Sequence, residues 1–305
     1  MTEPADELMT LRDWLRYAVS QFNAAGLVYG HGTTNALDEA AFLILTTLHL
    51  PIDQLEPFLE ARVTRAERAA LAKVIEARIT SRKPAPYLVG EAWIQGHRFA
   101  IDERVIVPRS FIGELLDGDL SAMIEDADAI RSVLDLCTGS GCLAILAALR
   151  FPKASIDAVD LSGDALAVAQ RNVAEYGLDE RVLLHHGDLF APLAGRRYDL
   201  IIANPPYVDA EAMAALPPEF RAEPALALAG GVDGLDVVRR ILAAAPRHLT
   251  PSGGLLVEIG RGQDRLAAEL PELPFLWLDI ADSAGEVFWL PAAALKAARK
   301  PGRTA

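Results

Sequence analysis

The sequence predicts an α/β protein built on a doubly wound sheet of seven strands, the last antiparallel, behind a small helical domain and a β-hairpin linker. Three observations carry that prediction. Past Arg131, short apolar runs alternate with helical stretches, the pattern of a parallel sheet covered on both faces. The first third of the chain instead repeats its apolar residues at steps of three and four. Between the two, residues 94–107 interleave aromatic and β-branched side chains with polar ones.

Taken in order, Leu8, Leu11, Leu15, Val19 and Phe22 mark a first helix, and Asp38–Leu48 repeats its spacing. Thr64 followed by Glu67 is a capping box opening a third helix that runs to Ser81. Trp93, Phe99, Ile101, Val105 and Val107 belong to the hairpin, with Gly96-His97 as its turn. The strands of the sheet are Ser132–Cys137, Ser155–Leu161, Val182–His185, Asp199–Ala203, Gly254–Ile259 and Pro274–Ile280. Ser162–Tyr176 and Gly234–Leu249 are helices between them. Glu286–Leu290 follows the sixth strand after a turn, Asp282–Gly285. That turn is too short for a parallel crossover, so the last strand runs antiparallel. Lys296–Ala305 reads as a fraying basic tail. The expected divisions are residues 1–90 (helical), 91–112 (hairpin linker) and 113–305 (sheet domain).

Composition narrows the function. Of 305 residues, 51% are hydrophobic and 23% charged, enough apolar material for a large core and too much for a disordered chain. The formal charge of −13 repels polyanions, so no duplex DNA partner is expected. The imbalance is uneven: residues 1–110 carry 12 basic and 14 acidic side chains, whereas residues 111–305 carry 17 and 28. Any contact with RNA therefore falls to the first third. Cys137 and Cys142 cannot staple a secreted scaffold, and Met1–Glu7 lacks the layout of an export signal, which points to the cytoplasm. The apolar run Ala40–Leu45 is far short of the roughly 20 residues a membrane span needs.

The chemistry gathers after the strands, where doubly wound sheets bind their ligands. Strand one ends in Asp135-Leu136-Cys137-Thr138-Gly139-Ser140-Gly141, whose glycines let backbone approach a ligand. Strand two ends in Asp160, 19 residues past Gly141, placed to grip two ribose hydroxyls. Together they indicate an adenosine-type cofactor, although Gly139-x-Gly141-x-x-Ala144 also satisfies the dinucleotide fingerprint. Strand four ends in Asn204-Pro205-Pro206-Tyr207. Prolines cannot continue a central strand, so the chain leaves the sheet there with carbonyls unclaimed. The Asn204 side chain and the Pro205 carbonyl form a matched pair of acceptors for a planar NH₂ group, and the Tyr207 ring can lie against its face.

These motifs, Asp135-x-x-Thr138-Gly139-Ser140-Gly141 and Asn204-Pro205-Pro206-Tyr207, resemble the class I S-adenosylmethionine-dependent methyltransferases that alkylate planar amino groups. The helical front, the hairpin, Glu223-Pro224-Ala225-Leu226 and Gly230-Gly231-x-Asp233-Gly234-Leu235 are similar to the protein glutamine N5-methyltransferases. Tyr29-Gly30-His31-Gly32-Thr33 and the stretch Val107–Leu115 resemble the branch of that family acting on large-subunit ribosomal protein L-three. Phe111 stands there in place of the more usual Pro. The resemblance covers nearly the whole chain. It implies the methyltransferase form of the seven-stranded sheet, S-adenosyl-L-methionine as cofactor, and a large-subunit ribosomal protein, free or in an assembling subunit, as acceptor. It further implies that Thr138, Gly139, Ser140 and Gly141 hold the methionine end of the cofactor, Asp160 the ribose, and Asp188 and Leu189 the adenine edge. Asp135 orients or caps the loop, and Asn204, Pro205 and Tyr207 hold the reacting amide, with Asn204 and Asp135 also counted among the cofactor-binding residues. Alternatives remain: a release-factor glutamine methyltransferase, an N6-adenine methyltransferase for DNA or RNA, an NAD-dependent oxidoreductase, or a non-enzymatic assembly factor. His31, between two glycines, reads as a contact to substrate or ribosomal RNA or, at least as well, as a turn residue that satisfies local backbone. Arg109 with Glu114 reads as a site pair or a surface ion pair, and Glu258 as crevice edge or scaffold. The histidines show no metal-ligand spacing.

Overall fold

The computed structural model describes residues 4–280 and 283–298. Two strands, β1 (Glu91–Ile94) and β2 (His97–Ala100), form a separate two-stranded sheet. Seven more build the main sheet: β3 (Ser132–Leu136), β4 (Ser155–Asp160), β5 (Val182–His186), β6 (Tyr198–Ala203), β7 (Leu249–Glu258), β8 (Leu276–Ile280) and β9 (Ser283–Pro291). Their order is β5-β4-β3-β6-β7-β9-β8. β3 to β7 pair in parallel and β9 is antiparallel to both its neighbours, as the sequence predicts. Chain order reverses between β3 and β6, so the crevice beyond their carboxyl ends is the ligand position of this topology.

The chain forms two compact units. The helical unit takes the residues up to Ala92, Ile101–Glu103 and Leu216–Glu223. The sheet unit takes Trp93–Ala100, Arg104–Ala215 and the chain from Pro224. Leu216–Glu223 thus leaves the span that the sequence analysis gave to the sheet domain.

In the helical unit, Trp14, Phe22, Leu43, Ile44, Leu71 and Ile75 form the centre of the core. Thr64 caps Arg65–Ser81 and Glu67 completes the box, as its sequence predicts. Thr10 and Asp13 make a second box at the start of Leu11–Ala24, each cap worth about 1 kcal/mol. In the sheet unit the two faces alternate residue by residue: Val133, Leu200, Ile202 and Leu256 enter one core, and Leu134, Leu136, Ile201, Ala203, Leu255 and Val257 the other.

Three expectations need correction. The hairpin turns at Gln95-Gly96, one residue earlier than Gly96-His97, because Gln95 itself adopts φ 49° beside Gly96 at 72° and both central residues of such a turn need positive φ. Its second strand stops at Ala100: Val105 and Val107 are buried in irregular backbone, so their alternation reflects burial without strand pairing. Lys296 lies in a helix, Ala292–Ala298, because Ala292 and Leu295 bury against the second core; residues beyond 298, like Asp282 of the expected turn, lie outside the described residues.

Candidate active site

The loop after β3 is shaped by its glycines and by two carboxylates. Gly139 has φ 56° and Gly141 φ 80°, and a Cβ on Gly141 would lie 3.1 Å from Ala169 Cβ, so the second glycine is required by close packing. At Gly139 the nearest atom to an added Cβ is Ile106 Cγ2 at 4.0 Å, leaving that backbone open. Gly141 also begins the helix Cys142–Arg150, whose first N–H groups have no side-chain cap. Asp135 projects from β3 into the core beneath, fully buried, and accepts the Thr138 hydroxyl. Burial pushes its carboxyl up to about 7, opposed by Thr138 and reinforced by the charge of Asp160. Asp135 therefore fastens the loop from below. Ser140, almost completely buried, offers its carbonyl to Asn172 Nδ2 at 2.9 Å.

Asp160 ends β4 and uses one oxygen for each of two backbone donors: Gly139 N–H at 2.8 Å and Ser162 N–H at 2.8 Å. Burial raises its pKa against those hydrogen bonds. Each oxygen retains acceptor capacity, so a carboxylate that ties the glycine loop to β4 can still accept from hydroxyls. Asp188 and Leu189 follow β5. Leu189 is held at φ 50° and is nearly buried, while Asp188 is half-exposed and takes Arg240 Nη2 at 2.6 Å. Arg240 was not anticipated from the sequence.

β6 stops at Ala203, and Asn204–Tyr207 leave the sheet without regular structure, as two consecutive prolines require. Pro205 is buried; Asn204 and Tyr207 are part-buried, and the Asn204 carboxamide has no hydrogen-bond partner among the described residues. The segment is packed from behind by glycines. A Cβ at Gly230 would lie 2.7 Å from Tyr207 Cα and 2.8 Å from the Pro206 oxygen. One at Gly260 would lie 2.7 Å from Tyr207 Cδ2 in the ring. The glycine-rich stretch Gly230–Leu235 is therefore the buttress of the Asn-Pro-Pro-Tyr turn.

Glu258, at the end of β7, is the hub beside it. Its Oε1 accepts the Tyr207 hydroxyl at 3.1 Å, and its Oε2 accepts Ser110 Oγ at 2.6 Å and Phe111 N–H at 3.0 Å. Ser110 in turn caps the helix Phe111–Asp117. Burial raises the Glu258 carboxyl, its three donors work against that, and Glu286 adds to it. Burial and the Glu258 charge hold the Tyr207 hydroxyl far above its usual range, so it remains a donor. Glu258 is thus scaffold for the ring, and Phe111 supplies an N–H that the Pro expected there from the resemblance would lack.

Asn172 is the clearest residue that sequence reasoning missed. It is fully buried and bonds Ala100 N–H, the Ala100 carbonyl and the Ser140 carbonyl, at 2.8, 3.0 and 2.9 Å. The signal was present: with Ala165, Val168 and Ala169 it lies on the buried face of Gly163–Glu175, where an amide is out of place unless bonded. His31 is buried in the helical unit. No group of three or more His, Cys, Asp or Glu placed to hold a metal occurs among the described residues, and none of their helices is long and apolar enough to cross a membrane.

Comparison with known proteins bears on this geometry. A family described as "Methyltransferase small domain" matches residues 120–231. The ribosomal protein uL3 glutamine methyltransferase of Bradyrhizobium diazoefficiens is 63% identical over 95% of this chain and 92% of its own. The Burkholderia pseudomallei protein of the same name is 57% identical over 97% and 99%. The chain belongs to the uL3 glutamine methyltransferase family. As a member it is a methyltransferase, with S-adenosylmethionine as methyl donor. Among solved structures, a methyltransferase from Pyrococcus furiosus aligns over 71% of this chain and 97% of its own with a TM-score of 0.46 and 16% identity.

Proposed function

We propose that this methyltransferase alkylates the side-chain nitrogen of a glutamine in ribosomal protein uL3, with Asn204 and Pro205 as the acceptors that hold the amide and Tyr207 as the surface beneath it. The observation that carries the assignment of the site is the unpartnered Asn204 carboxamide at the end of β6, on the switch-point side of the sheet. The acceptor is supported by the names and near-full coverage of the relatives. A ribosomal acceptor in turn supports a cytoplasmic setting, and the helical unit serves to recognise that acceptor.

The residues fit S-adenosylmethionine. The open backbone at Gly139, the uncapped start of Cys142–Arg150 and the spare acceptor capacity of Asp160 are the complement of a zwitterionic, ribose-bearing molecule. Thr138–Gly141 hold its methionine end, Asp160 its ribose, and Asp188 with Leu189 its adenine edge. Bound there, it supplies an electrophilic methyl carbon on a sulfonium sulfur.

A glutamine amide is a weak nucleophile because its nitrogen lone pair is delocalised into the carbonyl. Asn204 Oδ1 and the Pro205 carbonyl oxygen accept its two N–H groups, which fixes the plane of the amide and draws electron density toward nitrogen. Positive charge that grows on that nitrogen is met by the same two oxygens, already oriented, so no reorganisation is needed as it develops. The Tyr207 ring limits the amide to one face. No side-chain base is required, since the alkylated nitrogen releases its proton to water.

The test is to incubate the protein with labelled S-adenosylmethionine and, separately, free uL3, assembling large subunits, release factor and adenine-containing nucleic acid, then to locate the label by mass spectrometry. A methylated uL3 glutamine is the expected product. Asn204→Ala should abolish transfer while cofactor binding by calorimetry persists; turnover retained in that variant rejects the role of Asn204.

A further inference from the structure

The start of the helix Asp236–His248 is built against its own local rules. It has no side-chain cap, and a cation, Arg239, closes its first turn, where the positive end of a helix disfavours one. Carboxylates from two other elements account for Arg239. Its Nη1 donates to Asp233 Oδ1 at 2.9 Å and its Nη2 to Asp233 Oδ2 at 2.6 Å. Its Nε donates to Glu269 Oε1 at 2.9 Å and its Nη2 to Glu269 Oε2 at 2.8 Å, and Asp236 Oδ1 lies 3.3 Å from Nη1. Exposed ion pairs contribute little, but a planar guanidinium shared in fork geometry by two part-buried carboxylates fixes position as well as charge. The Arg239 bonds above all hold the Asp233 carboxyl down at about 2, so it stays ionised near neutrality.

Asp233 belongs to the buttress loop Gly230–Leu235, and Glu269 ends the helix Gln263–Glu269. Arg265 of that same helix donates to the Asp233 carbonyl at 3.1 Å, so two helices grip the outer side of the loop. The inner side is packed on the chain that follows the Asn-Pro-Pro-Tyr turn. Gly230 N–H donates to Val208 O at 2.8 Å, and Asp236 N–H closes the loop on Gly230 O at 3.1 Å. A Cβ on Gly234 would collide with the Tyr207 carbonyl oxygen, and Leu235, 1% exposed, plugs into the second core. The loop thus stands between Arg239 and the backbone of Tyr207 and Val208, and a displacement of Asp233 is passed to the turn that rests on it.

We propose that Arg239 is a positioning residue for methyl transfer: by gripping Asp233 against Glu269 it sets the loop that keeps Asn204 and Pro205 in place for the amide. The inference rests on the reading of Asn204 and Pro205 as the acceptors of that amide. Removing the guanidinium leaves the like charges of Asp233, Asp236 and Glu269 gathered at one spot, and their repulsion drives the loop off the turn.

The test uses the full chain with whole uL3, at temperatures well below the melting point of each variant. Arg239→Ala is expected to lower kcat by about tenfold, with S-adenosylmethionine affinity by calorimetry and acceptor KM within about twofold. It is then combined with Gly230→Ala, whose added Cβ displaces the same turn directly from 2.7 Å off Tyr207 Cα. The two losses should not multiply: the double variant is expected within about threefold of Gly230→Ala alone, because a turn already displaced has nothing left for Arg239 to hold. An unchanged kcat in Arg239→Ala, a loss that falls on cofactor affinity or acceptor KM instead, or losses that multiply in the double variant overturns the proposal. Should Arg239→Ala fail to fold, Asp233→Asn replaces it, since it keeps an oxygen for Leu235 N–H and turns an N–H toward Arg239. The same fall in kcat is expected, and a wild-type kcat overturns the proposal equally. Asn204→Ala is measured beside them: turnover retained there rejects the underlying reading of the amide site, a different outcome from an Arg239 variant that matches an active wild type.

Discussion

The Tyr207 hydroxyl donates to Glu258 Oε1 at 3.1 Å, tying the aromatic ring after β6 to the end of β7. The hydroxyl is committed to the scaffold, which leaves the ring face for the amide. Tyr207→Phe removes one donor from a buried carboxylate that keeps two others, a loss of roughly 1.5–3 kcal/mol in local order. Expected is a fall in kcat of about tenfold for Phe and of more than about a hundredfold for Ala, measured at saturating cofactor and acceptor. Equal losses in both would move the role from ring to hydroxyl.

Asp135 sets a pH dependence of stability. Its folded carboxyl lies near 7 against an ordinary 3.8, so between those values the folded state binds more protons than the unfolded one. Stability must therefore fall as pH rises through that window, by up to about 4 kcal/mol if the whole shift is expressed. Asp135→Asn, which cannot ionise, should lose this slope: its melting temperature relative to wild type is expected to rise steadily from pH 4 to pH 7. A difference that stays constant across the window would mean that the carboxyl is not raised by burial.

Asn172 satisfies three backbone groups of the hairpin end and the glycine loop. Asn172→Leu keeps the branched shape, adds bulk and strands all three, at about 1–3 kcal/mol for each group left without a partner in the interior. A loss of several kcal/mol in chemical denaturation is expected, with weakened cofactor binding in the folded fraction because Ser140 is no longer held. Asn172→Ser, smaller and still polar, should be milder if water enters.

Much of this was legible in the sequence, and the part that was not has a consistent physical character. The strand periods, the Thr64 cap and the two proline-bearing and glycine-bearing turns are local signals, set by residues within a few positions of one another. The hub at Glu258, the Asn172 bridge and the pairing of Arg240 with Asp188 join residues far apart in the chain, and only the type of one partner hints at them. A carboxylate ending an apolar strand or an amide on an apolar helix face announces that a partner exists without naming it. The transfer of Leu216–Glu223 to the helical unit is of the same kind: nothing within a few positions of its two glutamates points to the partners Arg78, Arg82 and His31.

Gly230 separates the positioning of the Asn-Pro-Pro-Tyr turn from the binding of the cofactor. A Cβ there would meet Tyr207 Cα at 2.7 Å, the Gly234 oxygen at 2.7 Å and the Pro206 oxygen at 2.8 Å, all of them backbone atoms that cannot swing aside as a side chain does. Gly230→Ala must therefore displace the turn itself by several tenths of an ångström. The carbonyl of Pro205 and the carboxamide of Asn204 move with it, and a misplacement of about 1 Å in a positioned pair costs on the order of a hundredfold in rate. The glycine loop, Asp160 and Asp188 lie on other strands and are untouched. The expected variant thus binds S-adenosylmethionine with wild-type affinity by calorimetry, yet its kcat falls by about a hundredfold. Loss of cofactor affinity in parallel with kcat would show that the two halves of the site are not mechanically separate.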